Sequence, residues 1–380
     1  MTHNTTLIQQ LKNYPNIIYS APTNKAAKVL SKVLKKPTKT TFSLFGLRLE
    51  HDEDELILKR TGQLPYFPQN TVIVIDEASM VGTLLFRAVE EVREKLKLKI
   101  LYVGDPLQLP PVKELRSPSW QVTKDPLCKF TLKKVMRYDN QLLKLATNIR
   151  NCITEKDWNS PLVHDNDGTQ GVFLSKSQSD LEKTIKTTIN STNVSSIKVI
   201  AWRNKTVDRY NTLIRKHLGF MDDYNVGDSI LLAEPIEIDD QIIAHTDDEF
   251  IIKEVKKGVK LIDGNPLDVY HLLVEGDQEL SLNVPVIEQT LRYYLSLKAD
   301  KAMKLSGTAR KEAWSDFWKT KSKFNLVRYG YALTAHRAQG STYDTCFVDQ
   351  QDILANPTSR EAYRCLYVAC TRASHRVYSF

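Results

Sequence analysis

Short apolar runs alternate with amphipathic stretches in the first third of the chain. Residues 16–23 form an apolar run that ends in a turn, and residues 24–36 follow with apolar side chains at helical spacing. Residues 71–79 are a β-branched run ending in acids, residues 85–96 have a helical pattern, and residues 99–105 are another apolar run. The pattern predicts the strand, loop and helix unit of a doubly wound α/β sheet.

A second α/β set is predicted further along, interrupted by a long insert. It begins near residue 195 and resumes at residue 329. Between them, residues 226–327 start with strand-like pieces at 226–232, 249–255, 258–262 and 269–274. Gly and Asp turns separate these pieces, which suggests a small β-barrel. The end of this insert, residues 291–324, is basic, aromatic and mostly helical in pattern, and it could contact nucleic acid or brace the barrel. A shorter polar insert, residues 47–70, has the length of a hairpin.

Composition narrows the class of protein. With 380 residues and 42% apolar content, the chain can bury more than one core. The net charge of +8 and a pI of about 9.0 make a polyanion a reasonable partner, although charge alone does not distinguish DNA from RNA or a membrane. The five cysteines are scattered, and no apolar run approaches the roughly 18 residues of a membrane span. We therefore expect a cytoplasmic protein with reduced thiols and no membrane partner.

Polar residues follow the predicted strands of the first set. Asp76 and Glu77 end one strand, where an acidic pair suggests a Mg²⁺ site and a carboxylate that polarises an attacking water, or only a cap for the next helix. Gln108 lies in the turn after the next strand and could sense a γ-phosphate. Because the carboxyl ends of parallel strands share one crevice, these side chains are expected to converge.

Several further residues are candidates for contacts with anions. Arg137 and Arg372 carry the planar guanidinium suited to phosphoryl-transfer charge, although either could be a surface arginine. Thr23 and Lys25 open a predicted helix, where backbone amides could hold a phosphate. Residues 334–341 also lie where a strand becomes a helix, and they include His336, for which no partner ligand is nearby in sequence and no metal role is expected.

Six ordered segments resemble motifs Ia, II, III, IV, V and VI of superfamily 1B DNA helicases of the RecD/Dda type. They are residues 21–30, 76–80, 104–112, 135–137, 334–342 and 367–373. The resemblance implies two tandem RecA-like P-loop NTPase domains with a β-hairpin pin and an SH3-like β-barrel insert. It divides the chain into a first domain at 1–145 with the pin at about 47–70, a second at 146–225 and 328–380, and the insert at 226–327.

The resemblance also implies a function and residue roles. The function is ATP-driven 5′ to 3′ translocation on single-stranded DNA and strand separation at forks, with ATP and Mg²⁺ as cofactors. Asp76 and Glu77 would serve Mg²⁺ and water, Gln108 the γ-phosphate, and Arg137 and Arg372 would be arginine fingers. Gly340 would belong to the nucleotide site, and the DNA contacts would be Pro22, Thr23, Lys25, Phe42, Thr334 and His336. Apolar wedges in the pin would be Leu56, Ile57, Tyr66 or Phe67.

The chain departs from the family pattern at its beginning. No GxxxxGK[ST] phosphate-binding loop occurs in the sequence, and alignment places Asn4 at the lysine position and Thr5 at the Mg²⁺ hydroxyl. We therefore expect an N-terminally truncated first domain with impaired ATP binding and hydrolysis. Phe42 replaces a histidine usual in the family, although an aromatic ring can still stack on a base.

Three accounts of the missing loop remain open. The chain is a fragment or mis-set start of a complete helicase, one half of a split helicase whose loop lies on another chain, or a non-catalytic single-stranded DNA-binding protein. The retained motifs II, III, V and VI favour the first two. Expected partners are single-stranded and fork DNA, a single-strand binding protein, or a chain that supplies the loop. A nuclease would need a carboxylate-rich metal site, which the sequence does not contain.

Overall fold

The computed structural model describes residues 16–52, 55–62, 65–122, 129–132, 141–159, 162–238 and 241–380. The chain divides into two compact units. The first unit comprises Met1–Thr184, Ser196–Val207 and Leu333–Phe380, and the second comprises Ile185–Ser195 and Asp208–Ala332. Within the described ranges, no helix is both long enough and apolar enough to cross a bilayer.

The N-terminal part of the first unit contains a parallel sheet and a separate hairpin. Its elements are β1 (Ile17–Ala21), α1 (Asn24–Leu34), β2 (Lys39–Thr40), α2 (Thr41–Leu44), β3 (Leu47–Asp52), β4 (Glu55–Arg60), β5 (Val72–Ile75), α3 (Thr83–Leu96) and β6 (Lys99–Tyr102). The sheet has the order β2-β1-β5-β6 with all pairs parallel. Strands β3 and β4 pair antiparallel, from Leu47 opposite Arg60 to Asp52 opposite Glu55. The predicted hairpin in residues 47–70 is thus confirmed.

The predicted strands and helices of this part form because their apolar residues face a common core. All four residues of β5 are buried, as expected for a central parallel strand covered on both faces. Helix α3 contributes Leu85, Val89 and Val92, which share one face at helical spacing and pack with Ile73 and Ile75 of the sheet. The sequence prediction of a doubly wound α/β unit is confirmed here.

The next part of the chain supplies elements for a second sheet. They are α4 (Gln141–Glu155), β7 (Asp165–Asn166), β8 (Gly171–Leu174), α5 (Gln178–Thr188), β9 (Ile197–Ala201) and α6 (Asn204–His217). Strand β9 is buried at every position, which again marks a central strand.

The second unit is dominated by antiparallel strands and a helical pair. Its strands are β10 (Ser229–Leu232), β11 (Ile236–Ile238), β12 (Gln241–Ala244), β13 (Glu249–Ile262), β14 (Asn265–Glu275), β15 (Glu279–Pro285) and β16 (Val327–Tyr329), and its helices α7 (Glu288–Met303) and α8 (Gly307–Lys321) lie between β15 and β16. Five strands form one sheet in the order β15-β14-β13-β10-β16, and β11 pairs with β12.

The expected turn near Gly258 is wrong. Residues 249–262 form one continuous strand, in which Gly258 lies opposite Val269. A side chain at Gly258 would overlap the His271 imidazole, so glycine here makes room for a cross-strand ring instead of reversing the chain. The true turn is Asp263-Gly264, where both residues have positive φ and join β13 to β14 in a two-residue hairpin.

The chain returns to the second sheet after β16. The closing elements are β17 (Ala332–Thr334), α9 (Ala335–Ala338), β18 (Tyr343–Val348), α10 (Gln350–Leu354), α11 (Ser359–Thr371) and β19 (Ala373–Ser379). The sheet has the order β17-β9-β18-β19-β8-β7, with β9, β18, β19 and β8 parallel and β7 antiparallel at the edge. Helix α11 is buried at every position from Ala362 to Thr371.

Candidate functional site

The acidic pair lies at the carboxyl end of β5, where the backbone changes direction. The Asp76 amide donates to the carbonyl of Ser20 at the end of β1 (2.9 Å), and the Asp76 Oδ1 accepts from the Glu77 amide (2.9 Å). Glu77 adopts a left-handed conformation with φ of 51°, which is uncommon for a residue with a side chain. This backbone outlier sets both carboxylates beside the ends of two parallel strands, an arrangement often associated with function.

The loop after β6 packs directly on this acidic segment. The Ala78 amide donates to the carbonyl of Val103 (2.9 Å), and a Cβ at Gly104 would lie 2.9 Å from the Ala78 nitrogen. Only glycine therefore allows the backbones to approach this closely. The Asp105 Oδ1 accepts from the Leu107 amide (3.0 Å), which shapes the turn that carries Gln108. The two loops expected to converge are in contact.

A glutamine from the second sheet bridges these loops. The Gln339 Nε2 lies 3.3 Å from both the Ser79 Oγ and the Gln108 Oε1. Gln339 follows α9 and is almost completely buried. The pattern of residues 334–341 predicted a functional segment here but no role for the Gln339 side chain. The structure therefore brings motifs II, III and V of the first unit to one point.

A charged cluster beside this point was missed by sequence analysis. The Asp105 Oδ2 accepts from the Arg150 Nη1 (2.6 Å) and from the Tyr367 hydroxyl (2.7 Å), and the Arg150 Nη1 lies 2.9 Å from that hydroxyl. Burial, reinforced by the nearby Asp105 charge, raises the pKa of Tyr367, so it stays a neutral donor. Arg364 lies on helix α11 with Tyr367, and its guanidinium donates to the carbonyls of Leu115 and Pro106. Helix α11 therefore holds the Gly104–Leu115 loop at several points.

Of the two predicted arginine fingers, only Arg372 lies in the described part of the chain. Arg372 is only 2% exposed, and its guanidinium donates to the carbonyls of Val368 and Ser341 (3.2 Å each) and to the Thr371 hydroxyl (3.1 Å). Because the side chain is almost completely buried, a phosphate would reach Arg372 only after the surrounding segments moved. Arg137 and Thr5 lie outside the described residues, so their roles stay predictions.

The start of α1 lies against the motif V segment. The Thr23 hydroxyl accepts from the Ala26 amide (3.3 Å), which caps the helix, and the Lys25 Nζ lies 3.4 Å from the Tyr343 hydroxyl. Gly340 has φ of +79°, and a Cβ there would lie 3.8 Å from Ala26. Of the predicted DNA contacts, Thr23 and Lys25 are therefore close to the segment that contains Thr334 and His336.

The other predicted DNA contacts are less accessible or serve a local purpose. Pro22 is buried, and Phe42 packs partly against the first core. The Thr334 hydroxyl accepts from the Arg337 amide (3.4 Å) and so caps α9. His336 is exposed at the surface, yet partial burial of its ring, opposed by Glu361, lowers its pKa and favours the neutral form.

His336 has potential partner ligands in space, although none lies near it in sequence. Two residues distant in sequence, Glu361 and Cys365, place donor atoms within 4.8 Å of one another and of the imidazole. Tetrahedral zinc bonds place two donors about 3.5 Å apart, whereas the His336 Nε2 and Glu361 Oε1 atoms lie 4.0 Å apart. We assign no metal to these residues.

The predicted pin lies only partly within the described residues. Residues 53–54 and the Leu56 side chain lie outside them. Ile57 is half-buried in β4. Tyr66 follows the hairpin and is 88% exposed, whereas the Phe67 ring lies 5.9 Å from the Phe45 ring and packs on the core. Tyr66 is thus the more accessible of these two wedge candidates.

Two domain models and two relatives match this chain. Residues 3–156 match the AAA domain model, and residues 329–378 match the UvrD-like helicase C-terminal domain model. The ATP-dependent DNA helicase Dda of Enterobacteria phage T4 is 27% identical over 391 aligned residues, which cover 95% of this chain and 87% of the phage protein. An uncharacterised protein of Acanthamoeba polyphaga mimivirus is 25% identical, covering 95% of this chain and 88% of the viral protein.

A solved Bacteroides Pif1 helicase in complex with ADP-AlF3 and single-stranded DNA aligns with 98% of this chain and 85% of its own, at 15% identity and a TM-score of 0.46. The order of the motifs, the two domain models and the match to the phage helicase along nearly the whole chain support a superfamily 1B helicase of the Dda type.

Proposed function

We propose that the protein is the motor of an ATP-dependent DNA helicase that moves 5′ to 3′ on single-stranded DNA and separates strands at forks. The observation that carries this proposal is the meeting of Ser79, Gln108 and Gln339 at one point. These residues belong to three motifs that lie 29 to 260 positions apart in the chain. A bridge between two parallel sheets at such a point allows nucleotide state and sheet position to influence each other.

The side chains at the first sheet suit a Mg²⁺-nucleotide. Asp76, with Thr5 as the family pattern suggests, would hold Mg²⁺, since carboxylate and hydroxyl oxygens are its preferred protein ligands. When bound, the ion neutralises phosphate charge. Glu77 would orient and deprotonate the attacking water, and Gln108 would contact the γ-phosphate. Arg137 and Arg372 would stabilise transition-state charge, and Gly340 would let the chain pass close to the nucleotide.

Single-stranded DNA would bind along the α1 start and the motif V segment. Thr23, Lys25, Thr334 and His336 supply hydroxyl, ammonium and imidazole groups for phosphates, while Phe42 offers a ring for a base. The proposal includes RecA-like domains at 1–145 and at 146–225 with 328–380, an SH3-like insert at 226–327, and the β3–β4 hairpin as the pin. Fork DNA and a single-strand binding protein are the proposed partners, and the T4 relative supports the choice of DNA.

The 380 residues contain no GxxxxGK[ST] run, which normally holds the β- and γ-phosphates. We therefore propose that these residues by themselves hydrolyse ATP weakly. A loop supplied by an in-frame extension or by a second chain would restore hydrolysis. A non-catalytic single-stranded DNA-binding protein is the alternative, and the missing run is the observation that favours it.

The test compares three proteins for DNA-stimulated ATP hydrolysis, fork unwinding and single-stranded DNA binding. They are the 380-residue chain, a version that carries a phosphate-binding loop, and that version with Asp76→Ala. We expect hydrolysis and unwinding only with the loop, their loss in Asp76→Ala, and similar DNA binding in all three. Asp268→Ala, an exposed acid in β14, is the control and should change nothing. DNA binding without hydrolysis in any version would support the non-catalytic alternative.

A further inference from the structure

The helical pair at the end of the insert has two different faces. One face braces the sheet of the second unit, where Leu291 and Phe324 pack with Ile262, Leu267 and Val269. The Lys298 ammonium is nearly buried and binds both Asp263 (2.7 Å) and Asp316 (2.5 Å). Sequence analysis left open whether this segment braces the insert or contacts nucleic acid. The bracing role accounts for only one face.

The opposite face of α8 is exposed and carries an aromatic ring among basic residues. Lys311, Ser315 and Trp318 lie at i, i+4 and i+7, so they form one stripe, with Lys319 beside it. Thr320, which is buried, lies on the opposite side of the helix. The Trp318 side chain is 57% exposed, which is unusual for a large apolar residue.

The charge around this stripe is strongly positive. Residues 304–323 contain six basic side chains and two acidic ones. One of the acids, Asp316, is engaged by Lys298, and that ammonium holds the pKa of the Asp316 carboxyl below its usual value. The Lys321 ammonium lies 5.4 Å from the centre of the Trp318 ring but pairs with Glu234 (3.0 Å), so the charge available to a ligand comes chiefly from Lys311 and Lys319.

We propose that the outer face of α8 is an auxiliary binding surface for single-stranded DNA. It rests on the proposed function, which supplies the DNA, but uses residues of the second unit only. Trp318 stacks on a base, and Lys311 and Lys319 pair with phosphates on either side. A ring among ammonium groups is the combination that binds single strands without reading sequence. A membrane surface fits less well, because Trp318 is the single large apolar side chain on this stripe and its neighbours are Ser315 and Lys311.

The experiment measures the affinity of the full 380-residue chain for a fluorescent oligo(dT) by anisotropy over a range of salt concentrations. Trp318→Ala should weaken binding about 5- to 100-fold, the range expected for loss of one stacked base. The pair Lys311→Gln and Lys319→Gln should reduce the slope of log affinity against log salt by about 1.4. Trp318→Phe should recover most of the affinity lost in Trp318→Ala, because a phenyl ring also stacks.

The matched control removes two lysines elsewhere in the same unit. Lys257→Gln with Lys260→Gln on β13 lowers the net charge equally and should leave the affinity within about twofold. Thermal unfolding followed by circular dichroism checks that each variant folds. The Phe variant keeps an aromatic neighbour for Phe317, whose ring lies 5.0 Å from Trp318.

Each remaining outcome rejects the inference in a distinguishable way. In one outcome, Trp318→Ala and the Lys311/Lys319 double variant bind oligo(dT) as tightly as the unmodified chain and with the same salt slope. The α8 surface then does not bind DNA, and the proposed function is unaffected. If the unmodified chain shows no binding at low salt, the proposed function fails and the inference falls with it. If polyglutamate quenches tryptophan fluorescence in the unmodified chain but not in Trp318→Phe, and oligo(dT) quenches neither, the surface recognises an acidic protein segment instead.

Discussion

Asp105 should be a strong determinant of stability in the first unit, because three groups donate to its carboxylate. Replacing it with alanine removes bonds from Arg150, Tyr367 and the Leu107 amide. A hydrogen bond to a charged group contributes roughly 1.5–3 kcal/mol, but the Arg150 side chain is 39% exposed, so solvent screens its share. Since the Tyr367 hydroxyl still accepts from Arg150 in the variant, we expect a total loss of about 2–4 kcal/mol.

The assay is urea unfolding of the full chain followed by circular dichroism, with the midpoint and slope compared between variants. Asp105→Asn should retain the bond from Leu107 and lose about half as much stability as the alanine variant. Asp165→Ala is the matched control, since Asp165 pairs with Lys144 on the same helix α4, but that pair is exposed. It should cost no more than about 0.5 kcal/mol. A loss for Asp105→Ala as small as that of the control would refute the reasoning.

Three further variants test other parts of the first unit. Burial opposes ionisation of Asp352, but bonds from the Trp202 and Arg203 amides and from neighbouring side chains hold its pKa below the usual value. The stability that the ionised Asp352 carboxylate contributes is therefore present above about pH 4 and is lost as the pH falls through the lowered pKa. Asp352→Asn should thus make the free energy of unfolding less dependent on pH in the acid range. Thermal unfolding between pH 2 and 7 measures this. Gln339→Ala should reduce DNA-stimulated ATP turnover of the loop-bearing protein about three- to tenfold with oligo(dT) affinity unchanged, and equal turnover would contradict the bridge. Gly340→Ala should lower the free energy of unfolding, measured in urea, by about 1 kcal/mol, because the φ of +79° strains a residue with a side chain although space is available. Gly340→Asn should lower it by less. Unchanged stability in both variants would contradict this reasoning.

The proposed nucleotide site illustrates how far sequence reasoning extends. Asp76, Glu77 and Gln108 were identified because each follows a predicted strand, and parallel strands end at one edge. The sequence carried no signal for Arg150, which lies mid-helix among ordinary polar residues and meets Asp105 only in the folded chain, 45 positions away. Gln339 was visible as part of a motif, yet its contact with Ser79 spans 260 positions.

Local pattern determined the elements themselves. The buried runs of β5 and β9 and the helical spacing of α1 and α3 depend on residues within one or two turns of each other, so they can be read along the chain. Asp263-Gly264 was likewise readable as a hairpin turn. Gly258 was not, because its role depends on His271 in the neighbouring strand.

Sequence by itself thus determined the α/β class, the motif order and the residues at the strand ends, since these follow from periodicity and composition over short distances. Only the tertiary structure decided that Arg372 is committed to carbonyl contacts, that Glu361 and Cys365 lie near His336, and that one face of α8 remains exposed with Trp318. These facts depend on which distant segments pack together. Packing between distant segments depends on how the whole chain buries its apolar surface, so it cannot be predicted from a short stretch of sequence.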